Sequence, residues 1–343
     1  ILINFFIMLS KIRLAINGFG RIGRAAFKIG WERQDIEFVA INDLGDIKTM
    51  AHLLKYDSIY GIWDKEIDYD EQGLIINKKR VPILKEKEPM NLPWKKMGVD
   101  IVLESTGIFL DKESSMGHIK AGAKRVIISA PAKGEDIPTY ILGVNEEKLD
   151  ASQLIISNGS CTTNCLAPIV KILDDNFGLD YGFMTTVHAY TNDQKILDLP
   201  HKDLRRARAA GFNMIPTTSG ATKTVVDVLP HLKGRLDGLA IRVPIPVVSL
   251  VDFVCLTKKE VNVSLINQTF EQASKGVLSN IIAVTNEPLV SSDFKGDTHS
   301  AIVDLSLTQV QNNNLVKIIA WYDNEWGYSQ RYIELAEYLG RKI

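Results

Sequence analysis

A glycine-rich turn near the N-terminus constrains the fold of this chain more than any other stretch. The turn, Gly18-Phe19-Gly20-Arg21-Ile22-Gly23, follows an apolar run at 12–16 and precedes a helical pattern over 24–33. A second apolar run at 36–41 ends in Asn42-Asp43. Strand, glycine turn, helix and strand in this order predict a βαβ unit, whose two strands are parallel.

The glycine spacing is GxGxxG, and an acidic residue follows about 20 positions later, a combination typical of dinucleotide-binding units. Gly18 makes the turn, Gly20 lets a pyrophosphate approach the backbone, and Gly23 lets the helix pack closely on the strand. The helix N-terminus attracts the phosphates. Asp43 accepts hydrogen bonds from ribose hydroxyls and repels a 2′-phosphate, which favours NAD over NADP. The alternative is a glycine turn of purely structural use.

Strands and helices continue to alternate up to residue 160. Strands are predicted at 99–104, 125–129, 140–143 and 154–156, helices at 46–55 and 111–121, and hairpins between 57 and 87. This pattern predicts an α/β fold with a Rossmann-type doubly wound parallel sheet, in which ligands bind at the C-terminal strand ends.

Strands dominate the second half of the chain. They are predicted at 181–188, 238–244, 247–257, 300–310 and 315–322, with helices at 161–176, 221–229, 262–275 and 325–339. The second half is therefore predicted to be an α+β domain with a mainly antiparallel sheet.

The stretch from Ser157 to Pro168 is a second strand-to-helix turn, with Cys161 where the helix begins. Unpaired backbone N–H groups and the helix dipole favour a thiolate there, so Cys161 is a candidate nucleophile. Cys165 lies one helical turn further on and is predicted to be buried packing. With Cys255 the chain has three cysteines. This odd, low number indicates a reducing compartment such as the cytoplasm, and no metal-ligand spacing is evident.

A long irregular segment at about 189–218 interrupts the second half, and loops of this length are usually functional. His188 opens it and can act as an acid or base, but its position alone does not distinguish it from an ordinary loop or core histidine. Arg205, Arg206 and Arg208 lie in the segment, where scattered arginines usually mark a solvated surface. Arg242 follows an apolar run in a predicted strand, and a buried arginine needs an anionic partner. These arginines are candidates for phosphate binding. Donors that can complete such a site are Thr162, Thr191 and Ser219-Gly220.

Composition narrows the function classes further. The 343 residues include 40 basic and 41 acidic side chains, and this net charge of −1 gives no general attraction to nucleic acid or membranes. No apolar run approaches the roughly 20 residues of a membrane-spanning helix. Residues 1–7 are apolar and precede Met8, but they lack the basic region and cleavage site of a signal peptide. An alternative is that translation starts at Met8 and residues 1–7 are upstream sequence.

Several motifs resemble those of the phosphorylating glyceraldehyde-3-phosphate dehydrogenases, over about residues 11–340. They are Ile16–Arg24, Ser129–Pro131, Ser160–Cys165, His188–Gln194, Arg205–Ala210, Arg242–Pro244 and Trp321–Tyr328. The resemblance implies that Cys161 is the nucleophile and His188 the base that activates it. The reaction implied is oxidation of glyceraldehyde 3-phosphate with NAD and inorganic phosphate to 1,3-bisphosphoglycerate, through a hemithioacetal and a thioester.

The resemblance also implies the binding residues. Those that hold the substrate phosphate and the inorganic phosphate are Ser160, Thr162, Thr191, Arg206, Ser219, Gly220 and Arg242. Those that hold NAD are Gly18, Phe19, Gly20, Arg21, Ile22, Gly23, Asp43, Lys87, Ser129, Asn324 and Tyr328, with Asn324 on the nicotinamide amide and Tyr328 near the ring. Two residues depart from the family pattern. Lys87 stands where an arginine often contacts adenine through its backbone, and Gly159 where alanine is more frequent.

The resemblance also implies two domains. The first is an NAD-binding domain at 10–160 that the C-terminal helix at 325–341 completes, and the second is a catalytic domain at 161–324. The segment at 189–218 would be the family's S-shaped loop, which borders the cofactor of a neighbouring subunit in a homotetramer.

Two alternative functions stay open. A dehydrogenase of erythrose 4-phosphate would use the same nucleophile, although Thr191 and Ser219-Gly220 favour the triose. A nucleotide- or RNA-binding protein without catalysis would not need Cys161 and His188 together.

Overall fold

The structure, a computed structural model, describes residues 11–343. The alternative that translation starts at Met8 concerns residues outside the described range, and residue 10 of the predicted NAD-binding domain also lies outside it. Over residues 11–343, no helix combines the length and the apolar character that a bilayer crossing needs.

The first half of the chain alternates strands and helices. Its strands are β1 (Ile12–Asn17), β2 (Ile36–Asn42), β3 (Tyr56–Asp57), β4 (Gly61–Ile62), β5 (Ile67–Asp70), β6 (Gly73–Ile76), β7 (Lys79–Leu84), β8 (Ile101–Glu104), β9 (Arg125–Ile128) and β10 (Ile155–Ser157). Its α-helices are α1 (Arg21–Trp31), α2 (Ile47–Lys55), α3 (Trp94–Met97) and α4 (Lys112–Lys120), with short 3₁₀ turns at Pro89–Asn91 and Glu146–Lys148.

Eight of these strands form one sheet, in the order β10-β9-β8-β1-β2-β7-β6-β5. The strands from β10 to β7 are parallel, and β6 and β5 extend the sheet with antiparallel pairs. The central strands β1 and β8 are buried along nearly their whole length, as is typical of parallel strands with helices on both faces of the sheet. The predicted parallel sheet is confirmed.

The predicted βαβ unit consists of β1, α1 and β2. The helix begins at Arg21, three residues before the predicted start at Arg24, because it follows the glycine turn directly. A Cβ atom on Gly23 would lie 2.2 Å from the Gly18 carbonyl oxygen. Only glycine therefore allows α1 to start this close to β1.

The strand predicted at 140–143 is wrong. The chain pairs there only at Thr139, in a single bridge with Ser157. The Asn145 side chain accepts the Ile141 N–H at 2.8 Å and donates to the Thr139 carbonyl at 3.0 Å. These bonds close a local turn and occupy backbone groups that a strand would offer to its neighbour.

The second half is dominated by strands. They are β11 (Leu179–Ala189), β12 (Ile215–Thr218), β13 (Leu236–Val243), β14 (Ser249–Thr257), β15 (Ile282–Thr285), β16 (Ala301–Asp304), β17 (Gln309–Gln311) and β18 (Leu315–Tyr322). The helices are α5 (Cys161–Phe177), α6 (Ala221–Val228), α7 (Val263–Lys275) and α8 (Trp326–Gly340), with 3₁₀ turns at Pro230–Leu232, Ser291–Phe294 and Leu305–Leu307.

A second sheet has the order β12-β13-β11-β14-β18-β16-β15, and β17 pairs with β18. The β11–β13 and β15–β16 pairs are parallel and the remaining pairs are antiparallel. The predicted mainly antiparallel sheet is confirmed.

Three details of the second half differ from the sequence prediction. The strand predicted at 300–310 ends at Asp304, because a 3₁₀ turn at Leu305–Leu307 separates it from β17. The irregular segment at 189–218 ends in a strand, β12, that pairs with β13. The sequence pattern did not indicate β15.

The last helix, α8, returns the chain to the first sheet. The Tyr332 hydroxyl lies 2.7 Å from the Ile127 carbonyl and 3.2 Å from that of Glu104. Arg341 pairs with Asp35 at 2.9 Å. Meanwhile α5 follows β10 and leads into β11, so the first turn of α5 lies where the two sheets meet.

Glu337 on α8 provides a pH-dependent contribution to stability. Burial raises the pKa of this carboxyl to about 7, and the neighbouring Asp35 adds to the effect. The folded state therefore prefers the protonated form, and its advantage is lost as the pH rises toward 7. After allowance for solvent screening, we expect a loss of about 1–2 kcal/mol between about pH 5 and pH 8.

The substitution Glu337→Gln keeps the shape of the side chain and removes its titration. We expect the free energy of unfolding of this variant to depend less on pH than that of the wild type over the same range. Denaturant unfolding at several pH values measures the difference. Glu260→Gln, at an exposed position, is the matched control, and equal pH dependence of all three proteins would contradict the assignment.

Candidate active site

Cys161 is the first residue of α5, as its sequence position predicted. The Ser160 hydroxyl caps the helix by accepting the Thr163 N–H at 3.0 Å, so it is committed to the turn. Gly159, before the cap, has φ +61°, a left-handed conformation that glycine adopts without strain. The turn thus presents the Cys161 side chain at the helix N-terminus.

His188, near the end of β11, faces this cysteine across the junction of the two sheets. Its Nε2 atom lies 3.3 Å from Cys161 Sγ, and its Nδ1 atom lies 2.7 Å from the Ala189 carbonyl oxygen. The parallel pairing of β11 and β13 places Arg242 beside His188. The Nη1 atom of Arg242 is 2.7 Å from Nδ1 and donates to the Ala189 carbonyl at 3.0 Å.

Burial controls the ionisation of the pair. It lowers the pKa of His188 to about 3, and the Arg242 charge acts in the same direction. Burial raises the pKa of the Cys161 thiol, while Arg242 and the Thr162 hydrogen bond act against the increase. Desolvation therefore opposes the preference for a thiolate that the helix N-terminus favours. The imidazole lies at a distance from which it can accept the thiol proton.

Tyr322, at the end of β18, links α5, which carries Cys161, to β11, which carries His188. The sequence analysis assigned this tyrosine no role. Its hydroxyl lies 2.9 Å from Thr162 Oγ1 and 2.9 Å from Thr186 Oγ1. Its ring meets the His188 ring edge-on at 6.0 Å. The Thr162 hydroxyl is therefore already engaged. No sequence signal separates such a tyrosine from its apolar neighbours in the strand.

Asn324 and Tyr328, both predicted to contact nicotinamide, are buried beside the cysteine turn. The Tyr328 hydroxyl donates to the Gly159 carbonyl at 3.1 Å. Ser249 Oγ accepts the Ala189 N–H at 3.1 Å and donates to Asn324 Oδ1 at 3.0 Å. This serine, which the sequence analysis missed, therefore orients the Asn324 amide from the start of β14, which pairs with the end of β11 that carries His188.

A separate cavity of about 530 Å³ lies over the glycine turn at the C-terminal ends of the parallel strands. Its lining residues are Asn17, Gly18, Gly20, Asn42, Asp43, Leu44, Glu86, Lys87, Glu88, Ser105, Thr106, Ile108 and Phe109. A Cβ atom on Gly20 would meet no atom within 4 Å. The Ser105 hydroxyl is buried with no partner among the described residues. Open space beside the backbone and a free polar group fit a dinucleotide that hydrogen-bonds in this cavity.

Asp43 closes the glycine turn from the second strand. One carboxylate oxygen accepts the Phe19 N–H at 2.7 Å and the other accepts the Gly45 N–H at 2.9 Å. Lys87 lies on the same rim and is exposed. Asp43 and Lys87 therefore lie on one rim of the cavity, where the ribose and adenine of a dinucleotide would bind.

Seven of the predicted cofactor residues lie outside the cavity lining: Phe19, Arg21, Ile22, Gly23, Ser129, Asn324 and Tyr328. The Arg21 guanidinium is held by Asp57 at 2.7 Å and by Glu325, which leaves its backbone at the N-terminus of α1. Ile22 packs against the hydrophobic core. The Ser129 N–H donates to the Glu104 carbonyl at the end of β8 at 3.0 Å. The sequence did not indicate that Glu325 is the partner of Arg21.

The predicted phosphate-binding residues lie on four parts of the chain: the start of α5, the segment at 189–218, the start of α6 and β13. Arg206 is tied to Asp193 at 2.6 Å and to Thr217 Oγ1 at 2.9 Å. The Thr191 N–H is 3.3 Å from the Gln194 side-chain oxygen. Ser219 and Gly220 precede the first turn of α6, where Ser219 Oγ accepts the Ala221 N–H.

Arg242 differs from Arg206 in its partners. Over residues 11–343, no carboxylate lies within 4.0 Å of its guanidinium, and its Nε atom is buried without a hydrogen bond. A buried guanidinium in this condition is stabilised by an anion. Arg242 is therefore the best-prepared anion-binding group beside the Cys161–His188 pair.

The glycine turn yields a test with a built-in comparison. We expect Gly23→Ala to lower the free energy of unfolding by about 2–3 kcal/mol, because its Cβ overlaps the Gly18 carbonyl. We expect Gly20→Ala to stay within about 1 kcal/mol of the wild type but to weaken NAD binding about tenfold, because its methyl group enters the cavity. Denaturant unfolding and NAD titration separate the two effects. Equal destabilisation by both substitutions would contradict this account of the turn.

Two family models match the chain. The model described as the NAD binding domain of glyceraldehyde 3-phosphate dehydrogenase covers residues 12–112, and the model of its C-terminal domain covers residues 160–324. The chain is 52% identical to glyceraldehyde-3-phosphate dehydrogenase 2 of Bacillus subtilis (97% of this chain, 98% of the relative). It is 53% identical to the Geobacillus stearothermophilus enzyme of the same name (96% and 99%) and 54% identical to that of Streptomyces coelicolor (97% and 99%). The chain belongs to the glyceraldehyde-3-phosphate dehydrogenase family.

Proposed function

We infer that this chain oxidises glyceraldehyde 3-phosphate with NAD and inorganic phosphate to 1,3-bisphosphoglycerate, in glycolysis or gluconeogenesis. The observation that carries this function is the 3.3 Å approach of Cys161 Sγ to His188 Nε2, with Arg242 beside the imidazole. A nucleophile, a base and an anion-binding group stand together, as oxidation of a phosphorylated aldehyde requires.

The first half-reaction begins with proton transfer from the Cys161 thiol to His188 Nε2. The thiolate attacks the aldehyde carbon, and His188 returns the proton to the resulting alkoxide to give a hemithioacetal. NAD, when bound, supplies the acceptor for hydride from this carbon. His188 takes the hydroxyl proton as the carbon–hydrogen bond breaks, and the product on Cys161 is a thioester.

The second half-reaction transfers the acyl group. An oxygen of inorganic phosphate attacks the thioester carbonyl, the carbon–sulfur bond breaks, and the Cys161 thiolate leaves and takes back the proton that His188 holds. Water must be excluded while the thioester exists, because hydrolysis would lose the energy of oxidation. The buried surroundings of the pair, with Thr162, Tyr322 and Asn324 packed around it, support this requirement.

The cofactor proposal rests on two regions. Around the cavity, Gly18, Phe19, Gly20, Asp43 and Lys87 would hold the adenosine half, with Arg21, Ile22 and Gly23 at the start of α1. Near Cys161, Ser129, Asn324 and Tyr328 would hold the nicotinamide half. The Asp43 carboxylate on the cavity rim supports NAD over NADP, since it repels a 2′-phosphate.

We assign the substrate phosphate and the inorganic phosphate to Ser160, Thr162, Thr191, Arg206, Ser219, Gly220 and Arg242. The helix N-terminus at Gly220 and the open guanidinium of Arg242 support this assignment. We also propose an NAD-binding domain at 10–160, completed by 325–341, and a catalytic domain at 161–324. The contacts of α8 with the first sheet support the completion.

The assembly is proposed to be a homotetramer in the cytoplasm. The loop at 189–218 carries several large apolar side chains that are exposed in the single chain, and such patches mark protein interfaces. They are Ile196, Leu197, Leu199, Leu204, Phe212 and Met214. All three cysteines are unpaired, which suits a reducing compartment.

The activity is tested by NADH formation from glyceraldehyde 3-phosphate, inorganic phosphate and NAD, with NADP and erythrose 4-phosphate run in parallel. We expect the highest kcat/KM with glyceraldehyde 3-phosphate and NAD. Cys161→Ala should abolish phosphate-dependent turnover while leaving NAD binding intact, and Cys165→Ala, one turn away, is the matched control. A higher kcat/KM for erythrose 4-phosphate, or turnover by Cys161→Ala near the wild-type rate, would overturn the proposal.

The assembly is tested by mass in solution. Phe212 is 88% exposed in the chain, and we expect Phe212→Asp to shift the protein from a tetramer to smaller species because a charge enters the proposed interface. Light scattering after size exclusion measures the mass. Val277→Asp adds the same charge at a position exposed elsewhere and should leave the mass unchanged. A monomeric wild type would contradict the tetramer.

A further inference from the structure

Asn324, assigned to the nicotinamide amide, lies between two residues that are both anchored to the first half of the chain. Asp323 bonds Tyr60, and Glu325 forms an ion pair with Arg21 at the start of α1. We propose that Arg21 and Glu325 are positioning residues for the cofactor, whose ion pair holds the Asn324 amide at a fixed place relative to the helix start that receives the pyrophosphate. This inference rests on the proposed function, which places the two halves of NAD at these sites.

The Arg21 side chain joins the first turn of α1 to the residue that precedes α8. Its Nε atom lies 3.0 Å from each carboxylate oxygen of Glu325, and its Nη2 atom donates to one of them. Its Nη1 atom donates to Asp57, at the end of β3, at 2.7 Å. A planar guanidinium that two carboxylates hold at once is restricted in its orientation, so Glu325 is fixed relative to the start of α1.

Asp323 makes the turn at 323–326 a rigid unit. One of its carboxylate oxygens accepts the Tyr60 hydroxyl at 2.8 Å. The same oxygen accepts the N–H groups of Glu325 and Trp326 at 3.0 and 2.8 Å, and the other accepts the Gly296 N–H at 2.8 Å. Because Asp323 is buried, loss of these donors would leave its carboxylate unsatisfied, which is costly. The ion pair of Glu325 therefore places the whole turn.

Arg21 connects this turn to the βαβ unit. Tyr60 and Asp57 both belong to the hairpin of β3 and β4, which forms a separate two-stranded sheet. The Arg21 guanidinium lies 5.7 Å from the centre of the Tyr60 ring and pairs with Asp57 as well as with Glu325. The hairpin and the turn are therefore both held by one side chain of α1, and loss of that side chain allows both to shift relative to the glycine turn.

The Asn324 side chain is oriented to bind a carboxamide. Its Oδ1 atom accepts the Ser249 hydroxyl at 3.0 Å, and this bond leaves the amide N–H groups as donors. The oxygen of the nicotinamide carboxamide is an acceptor that suits these donors. A shift of about 1 Å at a reacting atom can slow a reaction about 100-fold, so the position of this amide matters for hydride transfer.

The adenosine half of the site does not depend on the ion pair. The cavity over the glycine turn is lined from the ends of β1, β2 and β8, and its lining within residues 11–343 includes no residue of the turn at 323–326. Removal of the Glu325 carboxylate should therefore weaken binding of the nicotinamide half alone. A general loss of stability would weaken binding of both halves, so the two cases can be separated.

The experiment measures binding of NAD and of ADP-ribose, which lacks the nicotinamide ring, by calorimetry in the absence of aldehyde. We expect Glu325→Ala to raise the ratio of the NAD Kd to the ADP-ribose Kd about tenfold, with the ADP-ribose Kd within about twofold of the wild type. Glu325→Gln keeps an acceptor oxygen for Arg21, so its ratio should lie between the two. Arg341→Ala breaks the exposed ion pair with Asp35 at the other end of α8, and this matched control should leave the ratio unchanged.

A double-mutant cycle assigns the effect to the pair. Arg21→Met should raise the same ratio, because it breaks the same link from the other side. Arg21→Met combined with Glu325→Ala should raise the ratio no more than about twofold beyond the larger single effect, since only one link is lost in each case. Effects that multiply would show that the two side chains act separately and would contradict the proposal.

The outcomes distinguish this inference from the function on which it rests. If Glu325→Ala weakens NAD and ADP-ribose by the same factor, the pair supports the site in general and the inference is wrong. If the ratio and both affinities stay at the wild-type values, the pair does not position Asn324 and the inference is wrong as well. If the wild type and its variants bind as expected but the wild type forms no NADH from glyceraldehyde 3-phosphate, the proposed function fails and this inference stands.

Discussion

The contact between Cys161 and His188 joins two residues that are positioned by strands of different sheets. Cys161 is positioned by the turn that follows β10 of the parallel sheet, and His188 by the end of β11 in the antiparallel sheet. Neither sheet alone brings a thiol to an imidazole. The 3.3 Å separation between Sγ and Nε2 therefore requires both sheets to be formed and docked, and α5, which begins at one and packs on the other, fixes their relation.

Buried polar side chains hold this junction in place. Tyr322 joins Thr162 of α5 to Thr186 of β11, and Ser249 joins Ala189 to Asn324. A buried hydroxyl that loses its partner costs about 1–3 kcal/mol, so each bridge disfavours small displacements of the strand ends. The hydrogen bonds that pair these buried polar atoms also orient the reactive side chains. The positions of the reactive atoms are therefore fixed by the same pairing that buried polar atoms require.

Local patterns in the sequence predicted most of the fold. Apolar runs gave the parallel strands, and the glycine spacing gave the turn before α1. The prediction failed where a side chain, and not a neighbouring strand, bonds the backbone. The Asn145 side chain closes a turn at 140–143, and the apolar pattern of those residues does not indicate this turn.

The position of Cys161 at the start of a helix was enough to propose it as a nucleophile. The ionisation of its thiol could not be predicted, because it depends on burial by residues far away in the chain. His188 could be selected only through a family resemblance, since its partner Arg242 lies 54 residues further along.

The two arginines of the proposed phosphate site show why charge counts in a sequence do not determine binding. Arg206 and Arg242 are both half-buried, yet Arg206 has Asp193 at 2.6 Å and Asp203 at 3.6 Å. An anion that contacts Arg206 must share or displace these carboxylates, whereas an anion that contacts Arg242 meets an unneutralised guanidinium. Of these two arginines, only Arg242 lacks a carboxylate partner among residues 11–343, and it is the one in contact with the His188 imidazole.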